Sequence, residues 1–195
     1  MIAGVVLAAG ASGRMGEPKA MLRIGEQTFL QHILQTLRSA RVMENVIVLG
    51  AHTEQISPTL GWFDGKVAVN ARWEQGQLSS LLTAIQSLDI EKLHGIIVCP
   101  VDHPLITHSL VVELLKGFWQ SNKNIIIPTF GGKRGHPVIF GSPVIDALRS
   151  APPGEGAKAV VHSMPEEILE VPVNEEGILF NIDTPEDYKN LIMNH

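Results

Sequence analysis

The sequence predicts an α/β fold: a mainly parallel sheet covered by helices on both faces. Three observations point there. Apolar runs of strand length alternate with amphipathic segments of helix length, the first apolar run is continuous rather than alternating, and a glycine-rich loop follows it directly. At 195 residues the chain suits one domain, and we expect a single domain over 1–195.

Taken in order, "IAGVVLA" (Ile2 to Ala8) has the pattern of a strand buried on both faces. "TFLQHILQTLRSA" follows as a helix, with Thr28 as N-cap and Phe29, Ile33, Leu34 and Leu37 at helical spacing. "NVIVLG" is a strand, "TEQISPTL" a short helix broken by Pro58, "KVAVN" a strand, and "SSLLTAIQSL" a helix that Ser79 and Ser80 open. The strand "GIIVCP", the helix "SLVVELLKGFWQS" and the strand "NIIIP" complete this rhythm. Gly131-Gly132 in "TFGGKRGHPVIF" then marks a hairpin that pairs antiparallel with the sheet or projects over its edge. Helical pieces over Pro143 to Arg149 and Gly156 to His162, the strand "EEILEVPV", and a last helix from Pro185 capped by Thr184 end the chain.

Composition narrows the function. A net charge of −5 argues against a broad basic face for nucleic acid, and no apolar run approaches the ~20 residues that cross a bilayer. The one cysteine, Cys99, forms no intrachain disulfide, and the first cation is Arg14, so the apolar start lacks the basic region of a secretory signal. A cytoplasmic protein is expected, with neither membrane nor nucleic acid as partner.

The loop "VVLAAGASGRMGEPK" (Val5 to Lys19) places Gly10, Gly13 and Gly16 just past the first strand, where α/β proteins bind ligands. Glu17 after Gly16 breaks the P-loop pattern, and G-x-x-G-x-x-G followed by Pro18 departs from the dinucleotide pattern, which weakens a nicotinamide oxidoreductase. Arg14 and Lys19 inside the loop suit a triphosphate, whose charge must be offset before a phosphorus atom is attacked. Asp102 lies just past "GIIVCP" and Asp183 before the last helix, so both can reach the same cleft. His103 and His108 are separated by Pro104 and do not read as a metal pair, and no H-E-x-x-H or G-x-S-x-G occurs. Lys133, Arg134 and His136 form a basic cluster on the hairpin, suited to the phosphate of an acceptor. Cys99 and the scattered Trp62, Trp73 and Trp119 read as packing residues.

Six segments together resemble the molybdenum cofactor nucleotidyltransferases: "LAAGASGRMGEPK", "NARWEQGQLSSLLTAI", "CPVDHPLIT", "GKRGHPVIF", "GEGAKAVV" and "NIDTPEDY". The resemblance implies a Rossmann-like three-layer α/β/α fold of the nucleotide-diphospho-sugar transferase type. It implies that Ala9, Gly10, Ser12, Gly13, Arg14, Met15, Gly16 and Lys19 hold the nucleotide while Ser80 and the backbone around Leu7 and Ala8 read its base. Arg14, Lys19 and Asp102 would be catalytic, Asp102 and Asp183 would hold Mg²⁺, and Lys133, Arg134 and His136 would bind the acceptor. Nucleotide binding would then fall to about residues 1–100 and acceptor binding to about 101–195. The A-A-G opening and the R-G-H-P element point to the cytidylyl branch, with CTP and a molybdopterin-type cofactor as substrates and a molybdoenzyme or its chaperone as recipient. Val101 and His103 stand where the family has glycine and methionine. Another phosphorylated acceptor, GTP or ATP as donor, and a cofactor-binding chaperone without activity remain the alternatives.

Overall fold

The structure is a computed structural model, which describes residues 1–152 and 154–194. β1 (Ile2–Ala8), buried at every position, leads into the glycine loop and a short arm of two antiparallel strands, β2 (Arg23–Ile24) and β3 (Gln27–Thr28). α1 (Phe29–Ser39) starts as expected: the Thr28 hydroxyl accepts from the Gln31 N–H, and the Gln31 side chain accepts from the Thr28 N–H. β4 (Asn45–Leu49), α2 (Thr53–Ile56), β5 (Lys66–Val69), α3 (Gln77–Ser87), β6 (Gly95–Pro100), α4 (His108–Gln120) and β7 (Ile125–Phe130) continue the alternation. α2 stops where Pro58 follows, because the ring of a proline cannot join a helix interior. After β7 come β8 (Lys133–Arg134), β9 (Val138–Gly141), α5 (Ile145–Ser150), α6 (Ala157–Ser163), β10 (Ile168–Pro172) and α7 (Pro185–Asn194).

Among the described residues one sheet of eight strands runs β10-β7-β9-β6-β1-β4-β5, with β8 paired to β7. The pairs are parallel except those of β9, which runs against both β6 and β7, and of β8, which runs against β7. The hairpin at Gly131 and Gly132 forms, both glycines taking the positive φ that such a turn requires. The chain then threads β9 into the interior of the sheet, not over its edge. No helix among the described residues is long and apolar enough to cross a membrane.

Alternate strand residues feed two cores. Val6, Ile47, Ile97 and Ile126 pack beneath Phe29, Ile33 and Leu37 of α1 and Leu110 and Leu114 of α4. Val5, Val48, Val98 and Ile125 pack against Leu81 and Ile85 of α3, Leu148 of α5 and Val160 of α6. Each large apolar side chain so buried contributes ~1.5–3 kcal/mol, which makes these two layers the main stabilising element. Because β1, β4 and β6 are parallel, their carboxyl ends share one edge, where Val101 N–H donates to Leu7 O at 3.0 Å and Ala51 N–H to Ala9 O at 3.1 Å. That edge carries the glycine loop and Asp102.

Two sequence expectations shift. α3 begins at Gln77, just after Gly76 at φ +94°, so Ser79 and Ser80 lie in its first turn and do not cap it. The last strand is Ile168–Pro172, the two glutamates before it forming a 3₁₀ turn.

Candidate active site

The glycine loop curls back on itself at Ser12, whose φ of +51° lets its carbonyl accept from the N–H groups of Met15 (2.9 Å) and Gly16 (3.1 Å). Ser12 Oγ also accepts from the Lys19 N–H at 3.2 Å, fixing the start of the turn that carries the lysine. A cavity of about 350 Å³ opens above this loop. Leu7, Ala8, Ala9, Gly10, Ser12, Lys19, Ser80 and Asp102 line it. Gly13, Arg14, Met15 and Gly16 lie outside its lining; Met15 is buried in the core beneath α1, and Arg14 reaches elsewhere.

That elsewhere is Asp183. Arg14 Nη2 donates to Asp183 Oδ2 at 2.8 Å, Asn181 Nδ2 to the same oxygen at 2.9 Å, and Lys19 Nζ to Asp183 Oδ1. Lys19 Nζ also meets Asp102 Oδ2 at 3.4 Å, so one ammonium, 11% exposed, joins both carboxylates. Burial acts to raise the Asp183 carboxyl, but the Lys19 and Arg14 contacts outweigh it and hold the group below its ordinary range. Asp183 is therefore ionised at neutral pH, and the Asp102 and Asp183 carboxylates, both on the Lys19 ammonium, offer oxygen donors on one point, the donor type that a hard divalent cation takes. No group of three or more metal-ligating side chains occurs among the described residues, so the remaining ligands would have to come from phosphate and water.

Main-chain contacts hold these groups. Asp187 Oδ2 accepts from the N–H groups of Asp183 (3.0 Å) and Thr184 (2.8 Å), while Thr184 Oγ1 accepts from the Asp187 N–H at 3.2 Å. The reciprocal cap seats Asp183 at the start of α7. Opposite, buried Asn70 donates through Nδ2 to Ser79 Oγ (2.8 Å) and Ser80 Oγ (3.0 Å), which orients Ser80 into the cavity floor. Asn70 and Gln77 went unassigned in the sequence although both lie in "NARWEQGQLSS", and Trp73, read as a packing residue, packs against the core and also lines the cavity; the spacing marked the segment without saying which side chains turn inward.

A second cavity of about 620 Å³ adjoins the first, sharing Leu7, Glu74, Gly76 and Gln77. Its walls are apolar, with Leu78, Leu81, Val138 and Phe140, and Arg134 and His136 reach it, whereas Lys133, next to Arg134 on a strand, is not part of its lining. Arg134 is also paired with Glu170 at 2.7 Å. His136 is not a cation: burial and the neighbouring His103 push it down to about 4. The two imidazoles pack at 4.5 Å between centroids, and neither Nδ1 has a hydrogen-bond partner among the described residues. Lys158 and His162 of α6 line the same cavity and supply basic groups that motif reading did not single out. Cys99 is buried and burial pushes its thiol up, so it serves packing and not nucleophilic attack.

Comparison with known proteins agrees with this geometry. Over 200 residues the chain is 26% identical to nicotine blue oxidoreductase of Paenarthrobacter nicotinovorans, covering 98% of this chain and 96% of that protein. It is 28% identical over 133 residues to a probable molybdenum cofactor guanylyltransferase of Bacillus mycoides, covering 68% of this chain and 64% of that protein. The solved structure of Rv0371c from Mycobacterium tuberculosis superposes with a TM-score of 0.85 at 25% identity, over 99% of this chain and 98% of that one. A domain model described as the MobA-like NTP transferase domain matches residues 4–168, from the first strand to the start of β10. On that match the chain belongs to the MobA-like NTP transferase family of nucleotidyltransferases.

Proposed function

We propose that the protein transfers CMP from CTP to the terminal phosphate of a molybdopterin-type cofactor and releases pyrophosphate. The observation that carries this reading is the convergence of Lys19 and Arg14 with Asp102 and Asp183 at the edge of a nucleotide-sized cavity. In the reaction an oxygen of the acceptor phosphate forms a bond to the α-phosphorus, the α–β bridging P–O bond breaks, and pyrophosphate leaves with the electron pair. The attacking phosphate is already an anion, so no general base is needed.

Each side chain has a share in this. Lys19 and Arg14 draw the triphosphate oxygens into the loop, whose glycines let backbone N–H groups approach closely. Ser80 and the backbone of Leu7 and Ala8 read the base. Asp102 and Asp183 would hold Mg²⁺, which when bound offsets the charge that gathers on the phosphate oxygens. Arg134 and neutral His136 take polar edges of the acceptor, and the apolar wall of the second cavity takes its flat ring system. Catalysis is then alignment and charge neutralisation in a site closed to bulk water on its sheet side. Donor binding falls mainly to residues 1–100 and acceptor binding mainly to 101–195, and the product would pass to a cytoplasmic molybdoenzyme or its chaperone.

The nearly full-length likeness to a protein named as an oxidoreductase supports a second reading, hydride transfer from a nicotinamide. Two cations locked onto two carboxylates favour phosphoryl chemistry instead, because hydride transfer makes no use of that cluster. The test is incubation with CTP labelled at the α-phosphate, Mg²⁺ and molybdopterin, repeated with GTP and ATP. Label in the acceptor with CTP alone supports the proposal. Label from GTP moves the base assignment, CTP binding without transfer makes the protein a binder, and acceptor-dependent oxidation of NADH establishes the second reading.

A further inference from the structure

Lys19 and Asp183 come from opposite ends of the chain, and their contact is not the only tie between those ends. A short way beyond Lys19 the Tyr188 hydroxyl sits on the backbone of Arg23: it accepts from the Arg23 N–H at 3.0 Å and donates to the Arg23 carbonyl at 3.0 Å. The ring meets Phe29, a fully buried residue that opens α1, edge-on at 5.9 Å between centroids and 74°. Tyr188 belongs to the same helix whose first turn cups the Asp183 N–H through Asp187. α7 is thus a short rod with Asp183 held at its start and Tyr188 seated on the segment that carries Lys19. Two ties at separate points along two segments fix their relative position, where a single salt bridge would leave a hinge.

We propose that Tyr188 is a positioning residue for the reaction: through α7 and the Arg23 backbone, its hydroxyl sets the separation between the Lys19 ammonium and the Asp183 carboxylate. The inference rests on the nucleotidyl-transfer reading above, since it concerns the efficiency of that site. The ring alone would serve packing equally well as phenylalanine; only the hydroxyl reaches both backbone groups of Arg23.

The variant Tyr188→Phe keeps the ring and removes both bonds. We expect kcat to fall ~10-fold, because a misplacement of less than an ångström weakens alignment. KM for the acceptor should hold, since its cavity is walled by α3, β9 and α6. Hydrogen exchange, read by mass spectrometry, should quicken in the peptides around residues 19–24 and 181–188 while the rest of the sheet stays protected. The control Phe29→Leu removes the ring-edge contact but keeps the hydroxyl bonds, and should lower Tm with kcat retained. A Tyr188→Phe protein with wild-type kcat, or with unchanged exchange at those two segments, overturns the inference. If the wild-type protein itself transfers no label, the transfer reading fails. Exchange at the two segments then decides the clamp by itself: unchanged protection refutes it, and paired loosening upholds it.

Discussion

The N–H of Ile182 donates to the carbonyl oxygen of Asp102 at 2.8 Å, so the segments bearing the two aspartates are joined through main chain as well as through the ammonium of Lys19. The carboxylate of Asp102 can therefore be removed without undoing the junction. Its side chain is 29% exposed, and truncation leaves no sealed void. We expect Asp102→Ala to keep Tm within a few degrees and to lower kcat ~10²–10³-fold, the scale of losing one charge-stabilising group. Pyrophosphate release with CTP and acceptor measures it; a rate near wild type sinks the assignment of Asp102 to the metal.

The histidine pair gives the protein an acid-side weakness. His136 titrates at about 4 in the folded chain against 6.5 as its ordinary value, because burial and His103 disfavour its charged form. His103 is lowered as well, burial outweighing the carboxylates of Asp102 and Asp183. The unfolded chain thus binds more protons than the folded one between those two values, so stability falls as pH drops from 6.5 and levels off near 4. For His136 the loss is on the order of 3 kcal/mol. Urea unfolding at pH 7.5 and pH 4.5 should show it, and His136→Asn should flatten the slope; an equal slope in that variant would refute the assignment.

Much of the fold was legible because it is local. Continuous apolar strands, the Thr28 and Thr184 caps and the Gly131-Gly132 turn each depend on a few neighbouring residues, and each is present. What the letters did not show depends on distant packing. Nothing near "GHPVIF" says that β9 will enter between β6 and β7, and only that insertion and the approach of His103 make His136 neutral. Position along the chain put Asp102 and Asp183 within reach of one cleft beside the glycine loop, and the resemblance made them metal ligands; their actual meeting through Lys19 needs the arm after Lys19 and the seat of α7. Trp73 packs against the core as read and also lines the cavity, a second contact that has no periodic signal.

Two glycines near the loop should behave oppositely. A methyl group on Gly50 would lie 2.5 Å from Ala9 O and 2.8 Å from both Ala9 Cβ and Trp73 Cβ, and the carbonyl cannot yield without breaking its bond to Ala51 N–H. Gly50→Ala should cost ~1–3 kcal/mol of stability and weaken CTP binding together. At Gly10 nothing among the described residues beyond its chain neighbours lies within 4 Å of an added methyl, so Gly10→Ala should leave Tm unchanged and weaken CTP binding alone, by obstructing the approach of phosphate. Thermal melts paired with CTP titrations separate the two; a Gly10→Ala protein with wild-type affinity would show that the triphosphate does not approach there.

Base choice can be tested at Ala9. The residue is 4% exposed and lines the first cavity together with Trp73, and its Cβ lies close to Gly50, where an added methyl would meet both Ala9 Cβ and Trp73 Cβ at 2.8 Å. Removing that one methyl loosens the cavity lining beside Trp73 and frees the backbone locally. A purine needs more room than a pyrimidine, so Ala9→Gly should narrow the preference for CTP over GTP. One methyl in a packed pocket commonly changes discrimination ~10-fold or somewhat more. The measurement is the ratio of kcat/KM for the two donors with the same acceptor. If the ratio does not move, the base is read by Ser80 and the backbone of Leu7 and Ala8 without help from this wall, and Ser80→Ala becomes the variant that must shift it.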